Sequence, residues 1–406
     1  MTTLASTSRV ALRYKPEATW GTTPGTGSHY LLRTTGESLD YTIGTETSKE
    51  IRSDRQITDL IQTKVETAGG VNFELSYGEF DPFIAAALQG SWVAFGVNGV
   101  GVAIPTSATF AAGTLTAGSA TSGPSIFTNL VKGQWVKIGG SSVSGQNIWT
   151  QVSTTVDPTA TVLTFEGTPF TGSTGSGGAA VTVSASRLVN GTTQPSFTIE
   201  KNFADITQFL SYRGMTVSKM ALNLASGSIL TGSFDFMGKN GARAAVTTLP
   251  GTTTASLTNN VMNGVSSVAN ILEGGAVLSS TYIKSLSLSL DNALRGQDAI
   301  GVLGFAGIAS GVASITGNLE VYFADGALYD KFIANTASSL SFRVNDGSLN
   351  GYVITLPNIK YGSGKITAGG LGQDVMVSMS YQALRDATSG STILIDRAGA
   401  AVTAPV

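Results

Sequence analysis

The chain of 406 residues contains no cysteine and a single histidine, His29. Without thiols there is no disulfide framework, no cysteine metal site and no thiolate nucleophile. With one imidazole, histidine-rich metal sites are excluded, and Ser–His–Asp catalysis would have to run through His29. That histidine is expected on an ordinary surface loop. Charge is also scarce. Charged residues make up 12% of the chain, about half the ~25% usual in soluble proteins. The formal net charge is −2, and no basic stripe marks a nucleic-acid reader. No run of about 18 apolar residues is present, which leaves no candidate membrane-spanning helix. The first ten residues, Met1 to Val10, lack an apolar core and do not read as a secretory signal. The expectation is a protein assembled inside the cell.

What is present points to β-structure. Glycine accounts for 50 residues, and Ser, Thr, Ala and Val fill much of the remainder. This mixture of strand formers and turn formers predicts a mainly β protein. The length allows two or three domains. A surface so poor in charge belongs to a protein that buries much of it in an assembly.

Along the chain, Val71–Tyr77 alternates with period 2, so that Val71, Phe73, Leu75 and Tyr77 share one face. A short apolar helix is predicted after it, with Asp81 as N-cap, Pro82 at the first position and Gly90 as terminator. Residues 93–186 are rich in Gly, Ser and Thr and read as a small inserted β-domain, with strands over Val131–Ile138 and Thr161–Phe165 and a flexible loop over Gly172–Gly178. Trp135 and Trp149 favour a folded insert over a disordered linker. Strands resume with Ser196–Lys201 and Leu230–Phe236, and a softer stretch over 249–265 separates a C-terminal region.

That region repeats the first. Asn72–Tyr77 resembles Asn318–Phe323, and a helix with Phe-Ile-Ala follows each, at Phe83–Ala85 and Phe332–Ala334. Ser38-Leu39-Asp40 precedes one strand and Ser289-Leu290-Asp291 the other. Thr198–Glu200 and Gly232–Phe236 correspond loosely to Phe342–Val344 and Val375–Met379. The predicted organisation is a discontinuous first domain over 1–92 and 187–248, the insert over 93–186, and a second domain over 249–398.

Several segments, in order, resemble the major tail tube proteins of siphophages: Glu17–Pro24, Leu32–Leu39, Glu50–Ile57, Phe73–Asp81, Asn190–Thr192, Ser196–Lys201, Tyr212–Met215 and Thr231–Gly238. The resemblance implies two tandem tail-tube β-sandwich domains, each with a short flanking helix. It implies sheets joined edge to edge into rings that stack through a long loop. Six tube domains complete such a ring, so a chain carrying two implies homotrimeric, pseudo-sixfold rings. Implied partners are further copies of the chain, the tape measure protein, the tail terminator and distal tail proteins, with viral DNA passing through without specific binding and no membrane. The implied location is the virion tail, assembled in the host cytoplasm. No catalytic residue, metal or cofactor is expected.

Two segments are the candidate stacking arms. Glu46–Glu66 holds nine of the chain's 24 basic and 26 acidic residues, among them Glu46, Lys49, Glu50, Arg52, Asp54, Arg55 and Asp59. Interspersed charge sets register and partner choice across an interface, whereas a solvated hairpin is the plain alternative. The equivalent segment of the second copy, Ala299–Gly311, is nearly chargeless; it is expected either to be buried within its own domain or to insert Ile300, Leu303, Phe305 and Ile308 into the next ring as a second, apolar arm. Other signals are weak. Gly362–Thr367 fails as a phosphate loop because Ile366 follows Lys365 and Ile359 stands where the first glycine belongs. Asn190-Gly191-Thr192 reads as a turn rather than a glycosylation site. Competing readings are a decoration or adhesin-like structural protein and a carbohydrate-active tail enzyme, the last without a visible acidic and aromatic cleft.

Overall fold

The computed structural model describes residues 4–95, 102–104, 108–118, 127, 129–178, 181–278, 282–347 and 350–399. Residues 1–3, several stretches of the expected insert, and 279–281 and 348–349 of the expected second domain lie outside the described residues. The protein is mainly β. In the first half, β1 (Val10–Pro16), β2 (His29–Leu32), β3 (Gly36–Glu37), β4 (Asp40–Thr47) and β5 (Leu60–Glu74) precede α1 (Asp81–Leu88). After the inserted segment come β6 (Thr182–Val189), β7 (Phe197–Phe203), β8 (Gln208–Ala225) and β9 (Thr231–Gly238). The second half carries β10 (Val268–Glu273), β11 (Ile283–Asp291), β12 (Ser314–Tyr322), α2 (Ala327–Ile333), β13 (Ser338–Asn345), β14 (Gly351–Ala368), β15 (Val375–Ala383) and β16 (Leu394–Ala398).

Both halves pair their strands antiparallel and in one order. It is β1–β7–β8–β9–β5–β4 in the first and β10–β13–β14–β15–β12–β11 in the second. β8 and β14 are each 18 residues long. The N-terminal part of each pairs with β7 or β13, and the C-terminal part with β9 or β15. Each ladder is interrupted by one extra residue, Ser218 in β8 and Gly362 in β14. Counting outward from these bulges sets Phe234 against Met379, Val71 against Leu319 and Leu39 against Leu288, all of them buried. It also sets Gly69 against Gly317, and a Cβ on either would collide with a serine carbonyl, that of Ser38 or of Ser287. This correspondence is displaced by two residues from the letter match of Asn72 with Asn318. A two-residue slide keeps every side chain on its face, which is why the letters alone did not reveal it.

The core of the first half lies between its layers. Phe73 stacks on Phe80 at 4.3 Å and on Phe234 at 4.8 Å between ring centroids. Phe83 of α1 sits 4.7 Å from Tyr14 and 4.8 Å from Phe197. Every residue of α1 is buried, so the helix is core rather than flank. α2 buries only Leu328. The ends of α1 are each shifted by one residue from expectation. Phe80 takes the N-cap position and Asp81 is the first helical residue, because its carboxylate is bound elsewhere in the fold. Gln89, at φ 51°, is the left-handed terminator. Gly90 is required by proximity instead: a Cβ there would lie 2.2 Å from the Val189 carbonyl oxygen.

The described residues between 95 and 185 enclose a hydrophobic core of their own, including Phe110, Phe127, Phe165 and Phe170. The expected strand over Val131–Ile138 is shorter, Trp135–Gly139, because residues 131–134 form a turn with Gly133 at φ +69°. Within the expected flexible loop, Gly175–Ser176 pairs with Thr109 and Phe110. β6 runs across the expected boundary at 186/187. Its first residues pair with the Trp135–Gly139 strand and its last with β16.

The stretch over 249–265 does not stand apart from the first half. The Met262 amide donates to the Leu75 carbonyl and the Leu257 amide to Glu79. Arg33 donates to the carbonyls of Leu257 and Asn259. The same strap covers His29, which is buried, with Nδ1 3.1 Å from the Pro250 carbonyl and Nε2 2.7 Å from Thr253 Oγ1. The expectation of a surface-loop histidine is corrected accordingly. The turn at Asn190 is likewise structural, since its side-chain oxygen accepts the amides of Thr392 and Ile393.

Candidate functional site

The two halves share one sheet. The C-terminal part of β8 pairs with β11, Lys219 opposite Asp291 through Ala225 opposite Ser285. The strand order is then β4–β5–β9–β8–β11–β12–β15–β14. Because successive side chains in a strand point to opposite faces, the alternating sequences sort this sheet cleanly. One face carries Val71, Phe234, Leu222, Leu288, Leu319 and Met379, all buried. The other presents Asn72, Ser233, Asn223, Ser287, Asn318 and Ser378, which are exposed or half-buried. The uncovered face is therefore a field of small hydroxyls and amides. Its charges include neighbours of opposite sign: Lys219 lies 3.1 Å from Asp291 and Lys284 3.5 Å from Glu320. The bonded Asp291 carboxylate raises the Lys219 pKa.

The first candidate arm is the hairpin of β4 and β5. Glu46, Lys49, Glu50, Arg52, Asp54, Arg55 and Asp59 are all exposed on it. Arg52 forks onto Asp54 through Nε at 3.1 Å and Nη2 at 2.9 Å. The tip is closed by the Ser48 amide donating to the Asp59 carbonyl and by Thr58 Oγ1 donating to Glu50. Ile51, Ile57, Leu60 and Ile61 are exposed among these charges. In the sequence they stand between charged residues, Ile51 between Glu50 and Arg52 and Leu60 next to Asp59. Exposed apolar side chains rimmed by charge mark interaction surfaces.

The second candidate arm occupies the equivalent place between β11 and β12, as a small hairpin of Arg295–Gln297 and Gly307–Ala309. Ile300 and Leu303 are exposed on it and Ile308 is half-buried. Phe305 does not project: it is 5% exposed and fills the space beside Gly296, where a Cβ would touch its ring. The structure brings the two arms together at their roots. The Val65 amide donates to the Leu303 carbonyl at 2.9 Å, and Lys64 lies 5.0 Å from the centre of the Phe305 ring and 3.7 Å from Asp298.

Two polar clusters, one centred on a buried carboxylate and one on a half-buried one, hold the scaffold and were not legible as such. Asp81, fully buried, binds the Arg397 guanidinium and accepts from Tyr352 Oη at 2.6 Å. Glu17 accepts from the Gly21 amide, the Ser196 and Thr198 hydroxyls and the Gly214 amide, all at 2.7–2.9 Å. Trp20 adds its Nε1 donation to the Gly214 carbonyl. Three of the resembling segments, Glu17–Pro24, Ser196–Lys201 and Tyr212–Met215, thus converge on one carboxylate. Among the described residues no three His, Asp or Glu side chains converge as a metal site, and no helix is long and apolar enough to cross a membrane.

No curated protein matches the chain. A family model described as phage tail tube protein matches residues 7–383. A match of that length takes in both halves of the shared sheet, both hairpins and the insert, and the chain belongs to the phage tail tube protein family.

Proposed function

We propose that the chain is the major tail tube subunit of a siphophage, polymerising as stacked homotrimeric rings into the conduit through which the genome leaves the virion. The observation that carries this reading is the shared sheet with one apolar face and one face of serine, threonine and asparagine. A sheet whose polar face is continuous across both halves suits the wall of a water-filled channel. DNA carries dense negative charge, so a wall whose charges are few and include opposite-sign neighbours would neither trap nor strongly repel it. The matching pairing orders support reading the halves as two tube domains, over 1–92 with 187–248 and over 249–398, the strap at 249–265 reaching back to the first. Two such domains per chain give three chains per six-domain ring. The insert over 93–186, with its own core, is placed on the tube exterior. The charged and apolar hairpins are the inter-ring arms, alternating in chemistry around the ring. The tape measure, terminator and distal tail proteins are the further partners, in a virion tail assembled in the host cytoplasm. No catalysis is assigned.

Negative-stain microscopy of the purified protein tests the reading, with hollow tubes of even diameter and three chains per ring expected. Protein that stays dispersed under all assembly conditions refutes the tube, and six chains per ring refutes the tandem count.

A further inference from the structure

The junction inside the chain is a template for one between chains. The C-terminal part of β8 has a strand on both sides, β9 and β11. Its counterpart in β14, residues 361–368, pairs with β15 alone among the described residues. The counterpart of β11 is the β3–β4 segment, which among the described residues pairs with β5 alone. Each end of the shared sheet therefore presents the edge that completes the other. Open strand edges are templates for pairing with another chain.

The ladders carry the correspondence residue by residue. Past the bulges, Lys219, Ala221, Leu222 and Asn223 of β8 match Ser363, Lys365, Ile366 and Thr367 of β14. Counted through β5 and β12, Asp291, Ser289, Leu288 and Ser287 match Thr42, Asp40, Leu39 and Ser38. We propose that residues 363–367 of one chain pair antiparallel with residues 38–42 of a second copy in the register of β8 with β11. Ser363 then faces Thr42, Lys365 faces Asp40, Ile366 faces Leu39 and Thr367 faces Ser38. The proposal rests on the ring-forming reading above and names its lateral contact.

Features not used to derive the register agree with it. Lys365 and Asp40, brought opposite each other, carry opposite charge, are exposed, and form no ion pair within the described chain. Ser363 meets Thr42 and Thr367 meets Ser38 on the polar face, where the junction inside the chain sets Lys219 against Asp291 and Asn223 against Ser287. Tyr41 and Ile366, 37% and 38% exposed, would be covered, and Tyr41 would stand opposite Gly364, beside the Phe332 and Tyr329 rings that fill the space a Cβ there would take. The Leu39 carbonyl is already bound by Lys201 Nζ and Tyr212 Oη, so the backbone ladder centres on Asp40–Thr42. The two edges differ, so the contact is heterologous, and such contacts close into rings when the rotation permits.

The absence of native cysteine makes the test clean. The chain carrying Thr42→Cys with Ser363→Cys is assembled, oxidised and run on a denaturing gel without reductant. Covalent multimers are expected, roughly tenfold more abundant than from Thr42→Cys with Thr367→Cys, where the cysteines lie too far apart to bridge. Lys219→Cys with Asp291→Cys reports the template itself as a bridge within one chain. Tubes without multimers, or with equal multimers from the displaced pair, overturn the junction and leave the tube reading standing. Failure of the unsubstituted chain to form tubes overturns both. A charge exchange gives a second reading: Lys365→Glu lowers the assembled fraction and adding Asp40→Lys restores it, whereas no restoration speaks against the pair.

Discussion

Replacing Arg397 by methionine would test how the end of the chain is locked to its first half. Asp81 begins α1, is fully buried, and meets Arg397 from β16 and Tyr352 from β14. Arg397 also lies 4.5 Å above the ring of Trp92, whose Nε1 donates to the Asp81 carbonyl. Methionine keeps much of the length and removes the charge, which leaves the carboxylate buried with the Tyr352 hydroxyl as its remaining side-chain donor. Removing one partner of a buried pair costs about 3–5 kcal/mol. At ~2.1 cal/mol/K per residue, a chain of this length unfolding as one unit has a melting entropy of about 0.85 kcal/mol/K, so the melting temperature should fall by roughly 4–6 °C. Calorimetry gives the shift, and hydrogen exchange should show residues 394–398 losing protection first. Adding Asp81→Leu removes the stranded charge, and the double variant should recover to within about 1 kcal/mol of the parent. A single variant melting within about 1 °C of the parent, or a double variant less stable than the single, would refute the assignment of this pair as the clamp.

Three further outcomes follow from named contacts. Arg52→Glu with Arg55→Glu should leave stability within about 0.5 kcal/mol, because both side chains are solvent-exposed, yet impair polymerisation; normal tubes by microscopy would remove the charged hairpin from the contact. Phe305→Ala should cost about 3 kcal/mol and expose the Leu303–Val65 bond to exchange, and an unchanged melt would show that this ring is not holding the hairpin. Glu79 is buried, and burial raises its pKa while the Arg33 and Leu257 amides oppose that shift. A raised folded value means the folded state holds the proton longer. The stability tied to it is complete below the ordinary carboxylate pKa and is lost as pH rises through the folded value. Urea unfolding between about pH 4 and 7 should therefore show a falling contribution that Glu79→Gln abolishes, and parallel pH profiles for the two proteins would contradict this.

Much of the fold was legible because side-chain alternation in a strand is a local property. Val71 and Phe73 are buried in β5 with Asn72 exposed between them, as their spacing predicted, whereas Leu75, Ser76 and Tyr77 lie past the strand's end at Glu74 and are all buried, and α1 forms where apolar residues follow Pro82. The charge-dense hairpin was legible from composition, since exposed tips tolerate charge and cores do not. The stray isoleucines of that hairpin, the inward turn of Phe305 and the burial of His29 were not. Each depends on what a distant segment covers: Gly296 beside Phe305, and the strap at 249–254 over His29. Asp81 read as a helix cap because nothing nearby in sequence announces a partner 316 residues away.

The sequence by itself determined which face of each alternating strand is apolar, where α1 begins to within one residue, and that the chain holds no cysteine and one histidine. Only the tertiary structure decided which strands are neighbours. Ladder hydrogen bonds join backbone groups that every residue but proline carries alike, so alternation names a face and never a partner. The joining of β8 to β11, the two-residue offset between the halves and the two open edges that result all belong to that second level.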